Sequence, residues 1–397
     1  MSAEAGAQDY RDISAVVVSA SLWPHIGGAE RQALEQARYL AAHGVPVRIL
    51  TRRLPGTLKK EKVRGVDVLR LPALGTAGFI NSLSFMFSLL WWLVRRSGEY
   101  EVIHVHFASS PVLPACLAGR LLGKKVLAKI GGGVEVGEIP ASMKTVQGRL
   151  KLWALRRFRP QFLIVNRDIL PDMRKAGLDT ETALYFPNAV DTDAFTPAEP
   201  DEKARLRREL GLSAGPVFIF TGRFAAEKRL DWLARAWGRA VSEAGPDCRP
   251  ALLLVGEGEK RPLIESAARD NGALDKTLFL TGRRDNVLDY YRAADVFVLT
   301  SMSEGLSNSM LEAMACGLPV VASALAGAMD AVRDGHNGFL FRQDDEAALR
   351  AILVRLMKEP ELARRGGAAA RTVAVERFPM SALGPKLIRL YKEAAGS

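Results

Sequence analysis

Glu304 and Glu312 stand with seven residues between them in the stretch SEGLSNSMLEAMACGLPVVAS. An apolar, β-branched run at 296–300 precedes them, so they are expected at the carboxyl edge of a parallel strand, where open α/β sheets bind ligands. Ser307 or Asn308 suits the N-cap of a helix carrying Met310 to Cys316. Backbone amides at Ser307, Asn308 and Ser309 would then face an anion at the positive end of that helix. Glu312 falls about one turn further in, within reach of a ribose or sugar hydroxyl, and Glu304 sits before the helix across the same pocket. Two glutamates alone more often cap or solvate a helix start. Gly305, the polar triplet and the buried strand that follows turn the reading toward a site.

A second group lies in TGRFAAEKRL, residues 221–230. Gly222 permits a close turn, and Arg223 and Lys228 project from the loop or the first helical turn. Two fixed cations facing a diphosphate would stabilise it as a leaving group. Arginine grips phosphate oxygens in pairs, whereas lysine acts as a point charge. The plain alternative is a solvated basic helix start. In HIGGAERQ, residues 25–32, Gly27 and Gly28 form a turn that lets a ligand approach the backbone, a weak signal by itself, and Glu30 and Arg31 read as capping or solvating residues. His104 and His106 in VIHVHF share one face of a strand, where a packed or hydrogen-bonded strand end is the default. A third ligand of the right kind is not nearby, so no metal is expected. The loop AKIGGGVE places Lys129, Gly131 and Glu135 around three consecutive glycines, which suit close approach of a sugar or an acceptor.

These residues need strands to position them. Short apolar runs occur at 13–19, 46–51, 66–71, 102–107, 126–130 and 162–165, and again at 217–221, 251–255, 277–281, 296–300, 319–322 and 338–341. Most lack polar alternation, as parallel strands buried on both faces do, and helical patterns separate them. The chain is therefore read as α/β, with two Rossmann-like, doubly wound parallel sheets. A length of 397 residues also favours two domains. The polar, proline-bearing stretch 188–203 marks the boundary. The expected division is 1–190, then 191–375, with a C-terminal helix in 376–397 that packs back on the first domain.

Composition narrows the partners. The three cysteines, Cys116, Cys248 and Cys316, form no CxxC pair, which fits a reducing compartment. The polar start, residues 1–12, does not read as a secretory signal. Residues 1–195 carry 26 Lys and Arg against 17 Asp and Glu, whereas the remainder carries 29 against 27. A basic first half points to an anionic partner, such as lipid headgroups or a phosphorylated acceptor. No nucleic-acid-binding signature accompanies the charge. The apolar stretch 79–94, followed by Arg95 and Arg96, is shorter than the roughly 20 residues that span a bilayer. It reads as a helix, either packed in the core or lying on a membrane surface.

The stretch 294–338, with AADVFVLTSMSEGLSNSMLEAMACGLPVVAS and GAMDAVRDGHNG, resembles the signature of the family-4 retaining glycosyltransferases of the GT-B fold. That resemblance implies two Rossmann-like domains facing across a cleft. It implies that Glu304 lies near the donor sugar, that Glu312 binds the nucleotide ribose, and that the amides between them hold the diphosphate. The family also carries Arg and Lys at the spacing of Arg223 and Lys228. Its GG-x-E loop, like Gly27 and Gly28, lies against the donor phosphate. LVGEG at 254–258, with Glu257, resembles the turn under the base, Gly282–Arg283 the next strand exit, and NAVDTDAF at 188–195 the segment between domains, with Asn188 and Asp191 structural. One departure stands out. Many members carry a Thr-x-His-Gly-like segment whose histidine reaches the donor sugar, and here Ile130 falls about there, leaving Lys129, Glu135 or His106 to fill the space.

The reaction the resemblance implies is transfer of a sugar from a nucleoside-diphosphate sugar to an acceptor hydroxyl. It proceeds with retention, without a metal or other cofactor, and with domain closure excluding water. The basic half and the 79–96 stretch favour a sugar or lipid-linked acceptor in polysaccharide or glycolipid assembly, with the protein cytoplasmic or peripheral on the cytoplasmic membrane face. The rivals are a nucleotide-sugar epimerase of the same fold, which needs no acceptor, and a non-catalytic sugar-nucleotide-binding protein, which would bind donor without turnover.

Overall fold

Apolar runs with no polar alternation are satisfied only by strands covered on both faces, which requires helical crossovers above and below a parallel sheet. The computed structural model of the protein describes residues 10, 13–22, 27–75, 78–106, 110–131, 138–212 and 214–396. Within them the chain divides into two units, residues 1–187 with 380–397, and residues 188–379.

The first unit runs β1 (Ala15–Val18), α1 (Gly28–Ala42), β2 (Val47–Arg52), β3 (Lys60–Val63), β4 (Val66–Leu71), α2 (Gly78–Arg95) and β5 (Val102–His106). It continues with α3 (Val112–Leu122), β6 (Lys125–Ile130), α4 (Glu138–Met143), α5 (Val146–Phe158), β7 (Gln161–Ile164), α6 (Ile169–Lys175) and β8 (Leu184–Tyr185). The sheet order is β3-β4-β2-β1-β5-β6-β7-β8, parallel except for the β3–β4 pair. Patterning gives no strand at 60–63, because KEKV is charged. β3 forms as a polar edge, hairpinned to β4 through Arg64 and Gly65, both left-handed at φ 48° and 84°, as a two-residue type I′ turn requires. β8, only two residues long and exposed, is likewise below what a sequence pattern can register.

The second unit runs α7 (Pro200–Glu209), β9 (Val217–Thr221), α8 (Leu230–Ala244), β10 (Ala251–Val255), α9 (Arg261–Asp270), β11 (Leu278–Gly282) and α10 (Val287–Ala293). Next come β12 (Val296–Leu299), α11 (Asn308–Ala315), β13 (Val320–Ser323), α12 (Ala326–Ala331), β14 (Gly338–Phe341), α13 (Glu346–Lys358) and α14 (Pro360–Arg377). Its sheet, β11-β10-β9-β12-β13-β14, has parallel pairing throughout. Every residue of β9, β10, β12 and β13 is buried, which is why their sequences are unbroken apolar runs. Trp237 of α8 is fully buried, packs edge-on against Phe218 of β9 and donates its Nε1–H to Thr277.

The last helix, α15 (Met380–Ala395), belongs to the first unit and packs on α1, β5 and β6 through Leu383, Leu387, Ile388 and Tyr391. In both sheets the strand order reverses beside the first strand, between β1 and β5 and between β9 and β12. Crossovers leave in opposite directions at such a point, and the crevice they open lies at the carboxyl ends of the two strands.

α14 carries a glycine pair, Gly366 and Gly367, in its interior, where glycine costs about 1 kcal/mol relative to alanine. A Cβ on Gly367 would lie 2.0 Å from the carbonyl oxygen of Gly317, in the turn between α11 and β13. The contact therefore outweighs helix propensity. Gly367→Ala should lower stability by up to about 2 kcal/mol net, since overpacking costs about 1–3 kcal/mol and the gain in helix propensity offsets about 1. Thermal or urea melting checks this, and a stabilised variant would mean that propensity wins.

Candidate functional site

The loops leaving β9 and β12 meet at the switch point of the second unit. After β9 the chain turns through Gly222, whose φ of 150° favours glycine, into a short 3-10 turn at Ala226–Lys228. Lys228 Nζ donates to Glu304 Oε2, which also accepts from Ser301 Oγ at 3.2 Å. The lysine and glutamate side chains are only 17% and 20% exposed, so the pair is partly desolvated. Thr300 Oγ1 donates to the Lys228 carbonyl at 2.8 Å and fixes one loop to the other. Arg223 behaves differently. It is exposed and reaches Glu227 at 3.0 Å, beside this pair but not part of it.

Ser307, not Asn308, is the N-cap of α11, and its Oγ accepts from the Met310 amide and lies 3.1 Å from Ser309 Oγ. Asn308 and Ser309 therefore form the first turn of the helix. Glu312 lies one turn on, 5% exposed, with Oε2 accepting from Tyr291 Oη at 3.1 Å. Tyr291, fully buried on α10, also bonds Thr221 Oγ1 at the end of β9. This Thr221–Tyr291–Glu312 chain holds the carboxylate in place. Tyr291 sits in an ordinary helical pattern, DNVLDYYRAAD, and no spacing signal in the sequence singles it out.

Glycines let the neighbouring loops converge. A Cβ on Gly256 would fall 1.8 Å from the Gly222 carbonyl oxygen, and Gly256 itself has φ 153°. The turn 256–258 is thus pressed against the exit of β9. Glu257 pairs with Arg261 of α9 and lies beside Gly282, while Arg283 is exposed just past β11. Asn188 donates to the Leu306 carbonyl at 2.7 Å, and Asp191 Oδ1 accepts from the Asp193 and Ala194 amides. Both are bracing residues.

In the first unit, Gly27 caps α1, and Glu30 closes over it, accepting from the Gly27 amide at 3.0 Å and from Ser21 Oγ at 2.8 Å. A Cβ on Gly27 would meet that carboxylate at 2.6 Å. Glu30 therefore serves as a cap, and Gly28 opens the helix. His104 and His106 end β5, fully buried, with ring centroids 4.3 Å apart, and His104 Nδ1 lies 2.8 Å from Tyr391 Oη of α15. Lys129 of β6 is the register partner of His106 and is buried, its Nζ 5.7 Å from the Phe186 ring and without a hydrogen-bond partner among the described residues. Ile130 faces the opposite way and is fully buried. Burial, and then the charge of Lys129, pushes the His104 imidazole down to about 3. Burial, with His104 and Lys129 adding to it, holds His106 well below its ordinary value. Burial alone pushes Lys129 down to about 7. Gly131 follows β6, and Glu135 lies outside the described residues.

Residues 26–194 match the family described as Glycosyltransferase Family 4, and residues 215–359 the one described as Glycosyl transferases group 1. A D-inositol 3-phosphate glycosyltransferase of Stackebrandtia nassauensis is 31% identical over 93% of this chain and 87% of its own length. A GDP-mannose-dependent alpha-(1-6)-phosphatidylinositol monomannoside mannosyltransferase of Mycolicibacterium smegmatis is 30% identical over 75% of this chain and 78% of its own. The crystal structure of Anabaena HepE in complex with UDP and glucose superposes with a TM-score of 0.79 at 18% identity, over 96% of this chain and 100% of that one. The two α/β units are those of the GT-B fold.

Lys129 generates a prediction with a defined sign. Its folded value of about 7 lies below the ordinary 10.5, so between those limits the unfolded chain binds the extra proton and stability rises with pH. Lys129→Met removes the group. The variant should be more stable than wild type below about pH 7, and its advantage should shrink by about 1.4 kcal/mol per pH unit between about 7 and 10.5. Urea melts of both proteins across that range test it. A pH-independent difference would mean that Lys129 is not buried unpaired.

Proposed function

The chain belongs to the family-4, group 1 glycosyltransferases, and from that premise we propose that it moves a sugar from a nucleoside-diphosphate sugar to an acceptor hydroxyl with retention of anomeric configuration. The observation that carries this reading is the arrangement at the β9–β12 crevice. Lys228 and Glu304 are paired across it, and Glu312 is held by Tyr291 at the start of α11. That HepE binds UDP and glucose supports a nucleoside diphosphate as the carrier. The names of the relatives support an acceptor that is a phosphorylated polyol or a lipid-linked sugar, as in glycolipid or polysaccharide assembly.

In this reading the diphosphate lies at the N-terminus of α11, where backbone amides and the helix dipole favour negative charge. Arg223 turns to it at small cost, since its exposed pair with Glu227 is worth under about 1 kcal/mol. Lys228 supplies a second cation already held at the crevice by Glu304. As the anomeric carbon–oxygen bond breaks, the electron pair goes to the departing phosphate, and both cations stabilise the charge that grows there. The acceptor oxygen forms its bond on the face that the phosphate leaves, and a phosphate oxygen takes the proton. Glu304 orients the sugar hydroxyls and Glu312 the ribose, so no protein nucleophile and no metal is required.

Removing either cation, Arg223→Ala or Lys228→Ala, should lower kcat by about a hundredfold or more, or about 3 kcal/mol, while weakening donor binding less. Near-normal kcat in both would remove them from the mechanism. The two carboxylates should separate. Glu312→Gln replaces a charged acceptor, so calorimetry should show affinity for the bare nucleoside diphosphate falling about tenfold. Glu304→Gln frees Lys228 and makes no contact with the bare diphosphate, so that affinity should hold or rise while turnover collapses. An equal loss of affinity in the two variants would refute this division of roles.

A further inference from the structure

α2 is apolar on two opposite sides, and only one of them is used by the fold. Asn81, Phe85, Leu89 and Leu93 are buried and pack toward β4 and α3. On the far side Ile80, Leu83, Phe87, Trp91 and Val94 follow helical spacing and are exposed, Phe87 at 66% and Trp91 at 69%. Its 18 residues reach a mean hydropathy of 1.2, yet only 22% of them are buried. The neighbouring helices repeat the pattern. α3 packs against both α2 and α5, exposing Leu117 and Leu121, and α5 exposes Val146, Leu150 and Trp153 at i, i+4 and i+7. Exposed apolar side chains repeated on three helices that pack side by side mark an interaction face rather than chance.

Charge selects the partner. The three helices contain no Asp or Glu, while Arg95, Arg120, Arg149, Arg156 and Arg157 are exposed on them. Beside α2 a cleft of about 450 Å³ is lined by Arg48, Lys59, Lys60, Trp91, Trp92 and Arg96, with Glu99 as its acidic member. The Arg95 guanidinium lies 6.0 Å from the Trp91 ring and that of Arg48 the same distance from Trp92, so tryptophans and cations share one rim. Tryptophan and arginine together suit the headgroup level of a bilayer, with Phe, Leu and Ile sinking below it. A protein partner would need a matching acidic and apolar face. An anionic bilayer offers both at once.

We propose that the α2–α3–α5 face of the first unit docks on an anionic phospholipid surface, with the apolar stripe of α2 inserted among the acyl chains and the adjacent basic cleft receiving a lipid phosphate. α2 lies along this surface, because its other side is committed to the sheet. Two forces add. Burial of Phe87 and Trp91 gives affinity, and the cations confine it to anionic lipid.

The test is sedimentation with vesicles of phosphatidylglycerol and of phosphatidylcholine. Wild-type protein should bind the first at about 0.05 M salt, release as salt rises toward about 0.5 M, and leave the second alone. Phe87→Asp/Trp91→Asp and, separately, Lys59→Glu/Lys60→Glu should each lower binding at least tenfold, with circular dichroism and melting temperature unchanged because these side chains are exposed. No binding by wild type, equal binding to neutral vesicles, or unaltered binding by Phe87→Asp/Trp91→Asp would overturn the proposal. So would a lipid-free dimer, seen by analytical ultracentrifugation, that Phe87→Asp/Trp91→Asp dissolves, since a second copy would then be what covers the face. Vesicle binding is read with neither donor nor acceptor present, so its failure would leave the sugar-transfer reading untouched.

Discussion

Strand order reverses between β9 and β12, and nearly everything at the candidate site follows from that reversal. Parallel strands cannot be joined by tight turns, so each crossover must climb over one face of the sheet. Where the direction changes, two adjacent strands send their chains to opposite faces, and the backbone between them is left uncovered. β9 delivers Gly222 to Lys228 to that opening, and β12 delivers Ser301 to Glu312. The Lys228–Glu304 pair is therefore a contact between two strand exits, produced by topology before any consideration of chemistry.

A crevice is useful only if its walls hold still, and the second unit spends several of its special residues on that. Asn188 grips the Leu306 carbonyl just before α11, and Arg371 of α14 donates to the Ala315 carbonyl at its far end and to Phe195 and Thr192. Gly327 and Gly367 let α12 and α14 approach the backbone on either side, at Gly305 and Gly317. α11 is thus braced at both ends by neutral or cationic donors to carbonyls and by close backbone contact. A short helix of eight residues has little stability of its own, and its fixed position is a property of these braces.

Legibility from sequence followed the physical strength of each signal. Buried parallel strands write themselves as unbroken apolar runs, so the two doubly wound sheets could be read directly. The charged edge strand β3 could not, because its pairing rests on a hairpin turn and not on burial. At the site, Glu304, Glu312, Arg223 and Lys228 were legible because they follow apolar runs at the spacing of the family signature that the chain resembles. Their partners were hidden. Tyr291 is an aromatic in a helix, like many core residues, and only the fold brings it to Glu312. Glu227, which pairs with Arg223, reads as one more surface acid. Spacing along the chain names the candidate groups, whereas the side chains that hold them come from elsewhere in the sheet.

The first unit shows the opposite economy. Its carboxyl edge buries His104, His106 and Lys129 together, with Lys129 Nζ and both imidazole Nε2 atoms unbonded within the described residues. A buried polar atom without a partner costs about 1–3 kcal/mol, whereas leucine or valine at such an edge costs nothing of the kind. Packing does not account for the choice, because the flanking strands are filled with Val in β1 and with Phe, Leu and Ile in β7, all equally buried. Hydrogen bonding accounts only for His104, through Tyr391. What remains is a lysine that burial pushes down to about 7, next to two imidazoles that burial keeps neutral, at the carboxyl ends of β5 and β6. Titratable groups buried at the edge where α/β sheets bind ligands make Lys129 and His106 a candidate site of the first unit, beside the one at the β9–β12 crevice.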